Sequence, residues 1–148
     1  MDDCCEPFAK TRPFDIAIVG AGSAGFSAAI AAAEEGARVA LIGHGVIGGT
    51  CVNVGCVPSK ALIRATESVR HANGARRFAG VTSAARIHDS LALMAQKTEL
   101  VGALRQAKYV DLLADYDTVS YRTGRASLAE GGVDVDGEFA VRLTFDDL

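Results

Sequence analysis

The sequence predicts an α/β fold on a parallel sheet, and two observations carry that prediction. The first is a strand, a glycine-rich turn, a helix and a second strand within about 30 residues, which is the βαβ unit and implies a parallel pair joined by a right-handed crossover. The second is a pair of later stretches, 51–74 and 88–114, whose apolar residues recur at helical spacing.

Taken in order, 14–19 (FDIAIV) is short, apolar and β-branched and reads as a buried strand. It runs into GAGSAG, after which FSAAIAAAEE is a strong helix former that Gly36 ends at a C′ position. Residues 38–42 (RVALI) form the second strand, and 43–50 (GHGVIGGT) a glycine-rich loop. The helical pattern from Cys51 runs through Ala61, Leu62, Ala65 and Val69 and fades by Gly74. The stretch 74–86 has no clear period and reads as loop. Leu91, Met94, Leu100, Val101, Leu104 and Leu112 then mark one long amphipathic helix over 88–114. Residues 119–128 read as one strand, and VDVDG with EFAVRLTF as a short hairpin on a two-residue Asp136-Gly137 turn. Residues 1–13 read as a tail.

Composition narrows the function classes. The chain has 148 residues, the size of one domain, and its 15 Lys+Arg against 18 Asp+Glu give a net charge of -3. Nucleic-acid binding, which needs a basic stripe or patch, has no support. A hydrophobic share of 49% excludes a disordered chain. The opening MDDCCEPFAK is acidic and has no apolar core, so it is not a secretory signal. Residues 16–33 carry no charge over a membrane-helix length, yet Gly20, Gly22 and Gly25 fall in the first half and little bulk follows Phe26. The expectation is a cytoplasmic protein that neither enters a membrane nor binds nucleic acid. In a reducing cytosol, a close cysteine pair points to redox chemistry or metal more often than to a structural staple.

GAGSAG stands where a dinucleotide fingerprint must stand, after a strand and opening a helix. Gly20 permits the tight turn, Gly22 lets the backbone approach a pyrophosphate, and Gly25 lets helix and strand pack closely. The helix N-terminus supplies N–H groups and positive dipole to the anion. This makes the fold class Rossmann-like. One expected part is missing. An acidic residue at the end of the second strand should hold the ribose hydroxyl, and here Ile42 is followed by Gly43 and His44. The reading is weakened nucleotide affinity, with His44 or a water as partial substitute and Gly43→Glu as the restoring change.

Cys51 and Cys56 are spaced C-x4-C, unlike the C-x2-C usual at zinc sites, and no second ligand pair follows nearby. As a staple the pair is poor, because closing so short a loop gives only about 2 kcal/mol in the chain-entropy model. A reversible disulfide at the mouth of a helix fits better, since the helix dipole stabilises a thiolate there; inert buried thiols are the alternative.

The whole segment 48–60, GGTCVNVGCVPSK, placed just after GAGSAG, resembles the redox-active segment of the flavoprotein disulfide reductases (the pyridine nucleotide-disulfide oxidoreductases). Within that family VNVGC, VPSK, Ile63-Arg64-Ala65 and Ala107-Lys108-Tyr109 are most similar to the mercuric-ion-reducing branch. The resemblance implies a Rossmann-like FAD-binding domain over 14–148, with a parallel sheet and a short β-meander. Gly20, Gly22, Ser23 and Gly25 would lie along the FAD pyrophosphate, with Gly45, Gly49 and Thr50 closing over the cofactor. Cys56 would be the flavin-side sulfur, Cys51 the outer sulfur open to substrate, and Lys60 a charge near the flavin that favours its reduced form. It also implies NADPH as electron source, Hg(II) as substrate on the two soft sulfurs, and a homodimer for the full-length protein.

The family's second GxGxxG unit for NADPH, its dimerisation domain and its C-terminal catalytic His-Glu pair have no counterpart in these 148 residues. The chain is therefore expected to be a fragment, incomplete at its C-terminal side and without NADPH-dependent turnover alone. A dihydrolipoamide dehydrogenase-like reductase and a non-catalytic thiol module for soft metal are the alternatives. Cys4 and Cys5 read as part of a silent tail. Asp111, Asp115 and Asp117 read as a solvated face, and His71, His88, Arg76 and Arg77 as surface residues. Tyr109, Tyr116 and Tyr121 read as core or rim packing.

Overall fold

The computed structural model describes residues 14–129, 132–136 and 139–142. Strands β1 (Ile16–Val19), β2 (Val39–Gly43) and β3 (Val119–Thr123) make a parallel sheet in the order β1-β2-β3, with Ile16 opposite Val39 and Val39 opposite Val119. The crossover between β1 and β2 is helix α1 (Ser23–Glu34). Strand β2 is central and buried at every position. Its alternating side chains feed two cores, as the two-residue strand period requires. Val39 and Leu41 pack with Phe26 and Ala29 of α1 and with Tyr109. Ala40 and Ile42 face the opposite way, against Val133 and Val135. Leu41 and Ile42 are fully enclosed, each contributing about 1.5–3 kcal/mol by leaving water.

The second core belongs to an antiparallel meander of β4 (Ala126–Ala129), β5 (Gly132–Val135) and β6 (Phe139–Arg142). Here the structure corrects two expectations. Residues 119–128 are two strands in two sheets, because the chain bends at Gly124 and Arg125. The Gly124 N–H donates to the Gly43 carbonyl at 2.9 Å, and a Cβ on Gly124 would stand 2.4 Å from Val135 Cγ1. Glycine inside an apparent strand marks such a bend. The hairpin register pairs Val135 with Phe139, so three residues separate β5 from β6 where two were expected. Asp136 takes a left-handed φ of 51°, while Gly137 lies outside the described residues.

The helical stretch from Cys51 is also divided, into α2 (Gly49–Asn53) and α3 (Cys56–Gly74). Val54 and Gly55 separate them, and the Gly55 N–H returns to the Thr50 carbonyl at 2.8 Å. The long later helix begins at α4 (Ser90–Arg105), capped by Asp89, whose carboxylate accepts from the Ala92 N–H at 2.9 Å. It continues through a π-turn at Gln106–Val110 into the short α5 (Asp111–Leu113). No helix among the described residues is long and apolar enough to cross a membrane.

Candidate active site

The site starts at the end of β1. Gly20 has a φ of 119°, open to glycine and strained for other residues, and its N–H donates to the Ile42 carbonyl at 2.7 Å. Gly25, in the first turn of α1, lies so near this bend that an added Cβ would stand 1.8 Å from the Gly20 carbonyl oxygen. That absence of a side chain lets α1 start directly over the strand end. The loop after β2 folds back onto the same turn. Gly48 donates to the Ala21 carbonyl at 2.9 Å, and a Cβ on Gly49 would meet Gly22 Cα at 2.8 Å.

Between these two glycine segments lies a cleft of about 570 Å³, lined by Gly20, Gly22, Gly45, Gly49 and Thr50 among others. That volume is within the range of small-molecule and cofactor sites, roughly 300–1,000 Å³. Nothing stands within 4 Å of the place a Cβ would take on Gly20 or Gly45. Helix α1 has no acidic residue in its first turn and no side chain capping its N-terminal N–H groups. A backbone cradle with a helix dipole and no carboxylate among its described lining residues fits a pyrophosphate. Ser23 and Gly25 do not line the cleft. Ser23 Oγ is hydrogen-bonded to the Tyr109 hydroxyl at 2.8 Å, and Gly25 serves the packing just described.

Gly43 ends β2 and lines this cleft. The suggestion that a glutamate there restores a missing contact meets a steric obstacle. A Cβ at Gly43 would lie 2.6 Å from Ala21 Cβ and 2.8 Å from the Tyr121 hydroxyl oxygen. His44, the expected substitute, is exposed at the cleft edge.

The two cysteines lie just beyond Thr50. Cys51 is in α2 and Cys56 is the first residue of α3; both are exposed free thiols, which disposes of the buried-thiol alternative. Their side chains interact. The hydrogen bond to Cys56 is the chief influence raising the Cys51 thiol above its ordinary value, and the Lys60 ammonium pulls the other way. Lys60 thus acts on Cys51 from one helical turn beyond Cys56.

One positioning residue, Asn53, carries no signal in the sequence, and a second, Tyr109, is core packing as expected but also contacts the glycine loop. Asn53 Nδ2 donates to the carbonyls of Ile47 at 2.9 Å and Gly49 at 2.8 Å, while its Oδ1 accepts from Arg105 at 3.1 Å. This side chain ties the glycine loop to α2 and α4. Tyr109, in the π-turn, packs edge-on against Phe26 with ring centroids 4.9 Å apart and abuts Gly48. The π-turn itself is a signal of the kind found at functional sites, invisible to a 3.6-residue period. Asp111 accepts from Gln106 at 2.6 Å, Asp115 and Asp117 are exposed, and Tyr116 donates to Glu34 at 3.3 Å. Cys4 and Cys5 lie outside the described residues.

The family model for pyridine nucleotide-disulphide oxidoreductases matches residues 14–139. The chain belongs to this family. Among its relatives, a mercuric reductase of Streptomyces lividans is 47% identical over 118 residues, covering 80% of this chain and 25% of that protein. One from Staphylococcus aureus is 40% identical over 141 residues, covering 93% and 25%. Among solved structures, the HOCl-induced flavoprotein disulfide reductase RclA of Escherichia coli superposes with a TM-score of 0.68 at 28% identity, over 87% of this chain and 26% of that one. A Cu(II) complex of RclA gives 0.63 at 29%, over 81% and 24%. The chain spans about a quarter of the length of these relatives. Membership accounts for the parallel sheet, the glycine turn and the α/β class together.

Proposed function

We propose that this chain carries the FAD-binding and thiol-bearing part of a flavoprotein disulfide oxidoreductase that reduces Hg(II) to Hg(0) with electrons from NADPH. The observation that supports it most is the juxtaposition of interacting thiols, Cys51 in α2 and Cys56 at the start of α3, with the glycine cleft built from the ends of β1 and β2 and the start of α2. Gly20 and Gly22, with the α1 N-terminus, would hold the pyrophosphate, and Gly45, Gly49 and Thr50 would close over the cofactor. When bound, the flavin supplies two-electron redox chemistry. Cys51 and Cys56 hold that electron pair as a dithiol and release it, with two protons, on forming a disulfide. Their exposure leaves both sulfurs reachable by a soft cation, for which thiolates are far better ligands than carboxylates or imidazoles. Cys51 is the sulfur that first meets substrate, and Lys60 counters the rise in its proton affinity.

The test uses the chain with Cys4 and Cys5 replaced by serine, so that only the pair at 51 and 56 reports. The expected result is stoichiometric quenching of added FAD, loss of both reactive thiols with one equivalent of Hg(II), and a long-wavelength absorption on mild reduction that Cys56→Ser removes and Cys51→Ser leaves. Hg(II) uptake with no FAD binding would favour a thiol-only module. A Cu(II) competition arm separates mercury preference from general affinity for thiol-seeking metals.

A further inference from the structure

The family fingerprint places a carboxylate at the end of the second strand to hold the adenosine ribose, and this chain has Gly43 there. Resting on the reading of the cleft as an FAD site, we propose that Tyr121 has taken over this contact. Its hydroxyl would hold a ribose hydroxyl of the adenosine half of the cofactor.

Three observations converge. Tyr121 lies opposite Leu41 in the parallel register, so its side chain shares the face of the sheet that Gly43 presents, two residues beyond Leu41 on the neighbouring strand. Its hydroxyl oxygen then stands 2.8 Å from the point where a side chain at position 43 would begin, with the ring edge at 3.1 Å. The phenol therefore occupies the space that an acidic side chain would need. Tyr121 also lines the cleft, while its ring packs on the α1 side of the core. Among the described residues its hydroxyl makes no hydrogen bond, and because every buried side-chain oxygen there has a partner, this one reaches solvent. A polar group that faces the cleft, fixed by a packed ring and free to bond, is preorganised for a ligand.

The two positions are one substitution in physical terms. A side chain at Gly43 and the phenol at Tyr121 compete for the same volume, so glycine at 43 is the condition for tyrosine at 121. The exchange replaces a charged acceptor by a neutral group that both donates and accepts. His44 is the competing candidate, one residue further on and exposed.

The experiment measures FAD affinity of the 148-residue chain by flavin fluorescence, with FAD and its 2′-deoxyadenosine and 3′-deoxyadenosine analogues as probes. Tyr121→Phe keeps the ring and removes only the hydroxyl; circular dichroism and a thermal melt check that it folds. We expect Tyr121→Phe to weaken FAD binding roughly three- to tenfold, the range of one net hydrogen bond. One deoxy analogue should bind wild type more weakly by a similar factor, yet bind Tyr121→Phe no worse than FAD itself does. His44→Ala should leave FAD affinity unchanged. If wild type binds FAD and both deoxy analogues equally, the Tyr121 contact is refuted whatever the variant does. A loss with His44→Ala and none with Tyr121→Phe would assign the ribose to His44 instead. If wild type binds no FAD, the cofactor reading fails, and this inference with it.

Discussion

The glycine cleft and the thiol-bearing helices are neighbours built on opposite principles. In the cleft, strand β2 is buried at all five positions, and added atoms at Gly25, Gly43 or Gly49 run into backbone or fixed side chains within 3 Å. Across Thr50, the 19-residue α3 has no fully buried residue, and both sulfurs are exposed. The first region excludes side chains and leaves backbone N–H groups to line the cleft, where the proposed function puts the cofactor. The second works by presenting side chains, whose reactivity depends on neighbouring hydrogen bonds and charge. Mutations should therefore damage folding and cofactor affinity on one side and proton affinity on the other.

The largest effect is expected at Gly25. Gly25→Ala forces a methyl against the Gly20 carbonyl at 1.8 Å, and helix or strand must move. A loss of about 3 kcal/mol in stability is expected, read as a lower urea midpoint together with lost FAD binding. An unchanged midpoint would show that the α1–β1 contact is loose. Asn53→Ala comes next. It removes two donors to loop carbonyls and the acceptor for Arg105, and each orphaned buried partner costs about 1–3 kcal/mol. The partners are only partly buried, so the lower end applies, with faster proteolysis of the loop around Gly45–Gly49 as the companion measurement.

How far the sequence announced this division can be judged residue by residue. The βαβ unit and the place of both cysteines were legible, because strand, turn and helix are local signals and GAGSAG and GGTCVNVGC are contiguous. Gly25 was legible for the same reason. Gly124 could have been read as a bend, since a glycine inside an apolar run is a recognised warning. The role of Asn53 was not legible, because its partner Arg105 is distant in sequence, nor was the meeting of Tyr121 with Gly43, which exists only through the β2–β3 register. Side chains brought together by parallel pairing leave no periodic trace.

On the exposed side, Leu91→Ser should change stability by no more than about 0.5 kcal/mol, because Leu91 at the start of α4 is 80% exposed and buries little in this chain. Urea unfolding measures it. A loss above 1.5 kcal/mol would mean that α4 is held by contacts the isolated chain does not display, such as self-association, and the effect would then depend on protein concentration.

The smallest effect on stability, and the sharpest on chemistry, belongs to the thiol pair. Cys51 has its proton affinity raised in the folded chain, first by the hydrogen bond to Cys56, against the opposing charge of Lys60. A raised acid binds its proton more tightly in the folded state than in the unfolded one. Its stabilising contribution is thus present below the ordinary thiol range near 9 and fades as pH rises through the elevated folded value. At neutral pH neither Cys56→Ala nor Lys60→Met should move the unfolding midpoint appreciably, since the group is exposed. Alkylation by iodoacetamide against pH reads the thiolate directly. Cys56→Ala removes the leading upward influence and should shift the Cys51 profile to lower pH, whereas Lys60→Met removes the opposing charge and should shift it higher. Two shifts of opposite sign are the signature of a site governed by neighbours. If the profiles of all three proteins coincide, the sulfurs ignore one another in solution, and the contrast with the glycine cleft loses its chemical half.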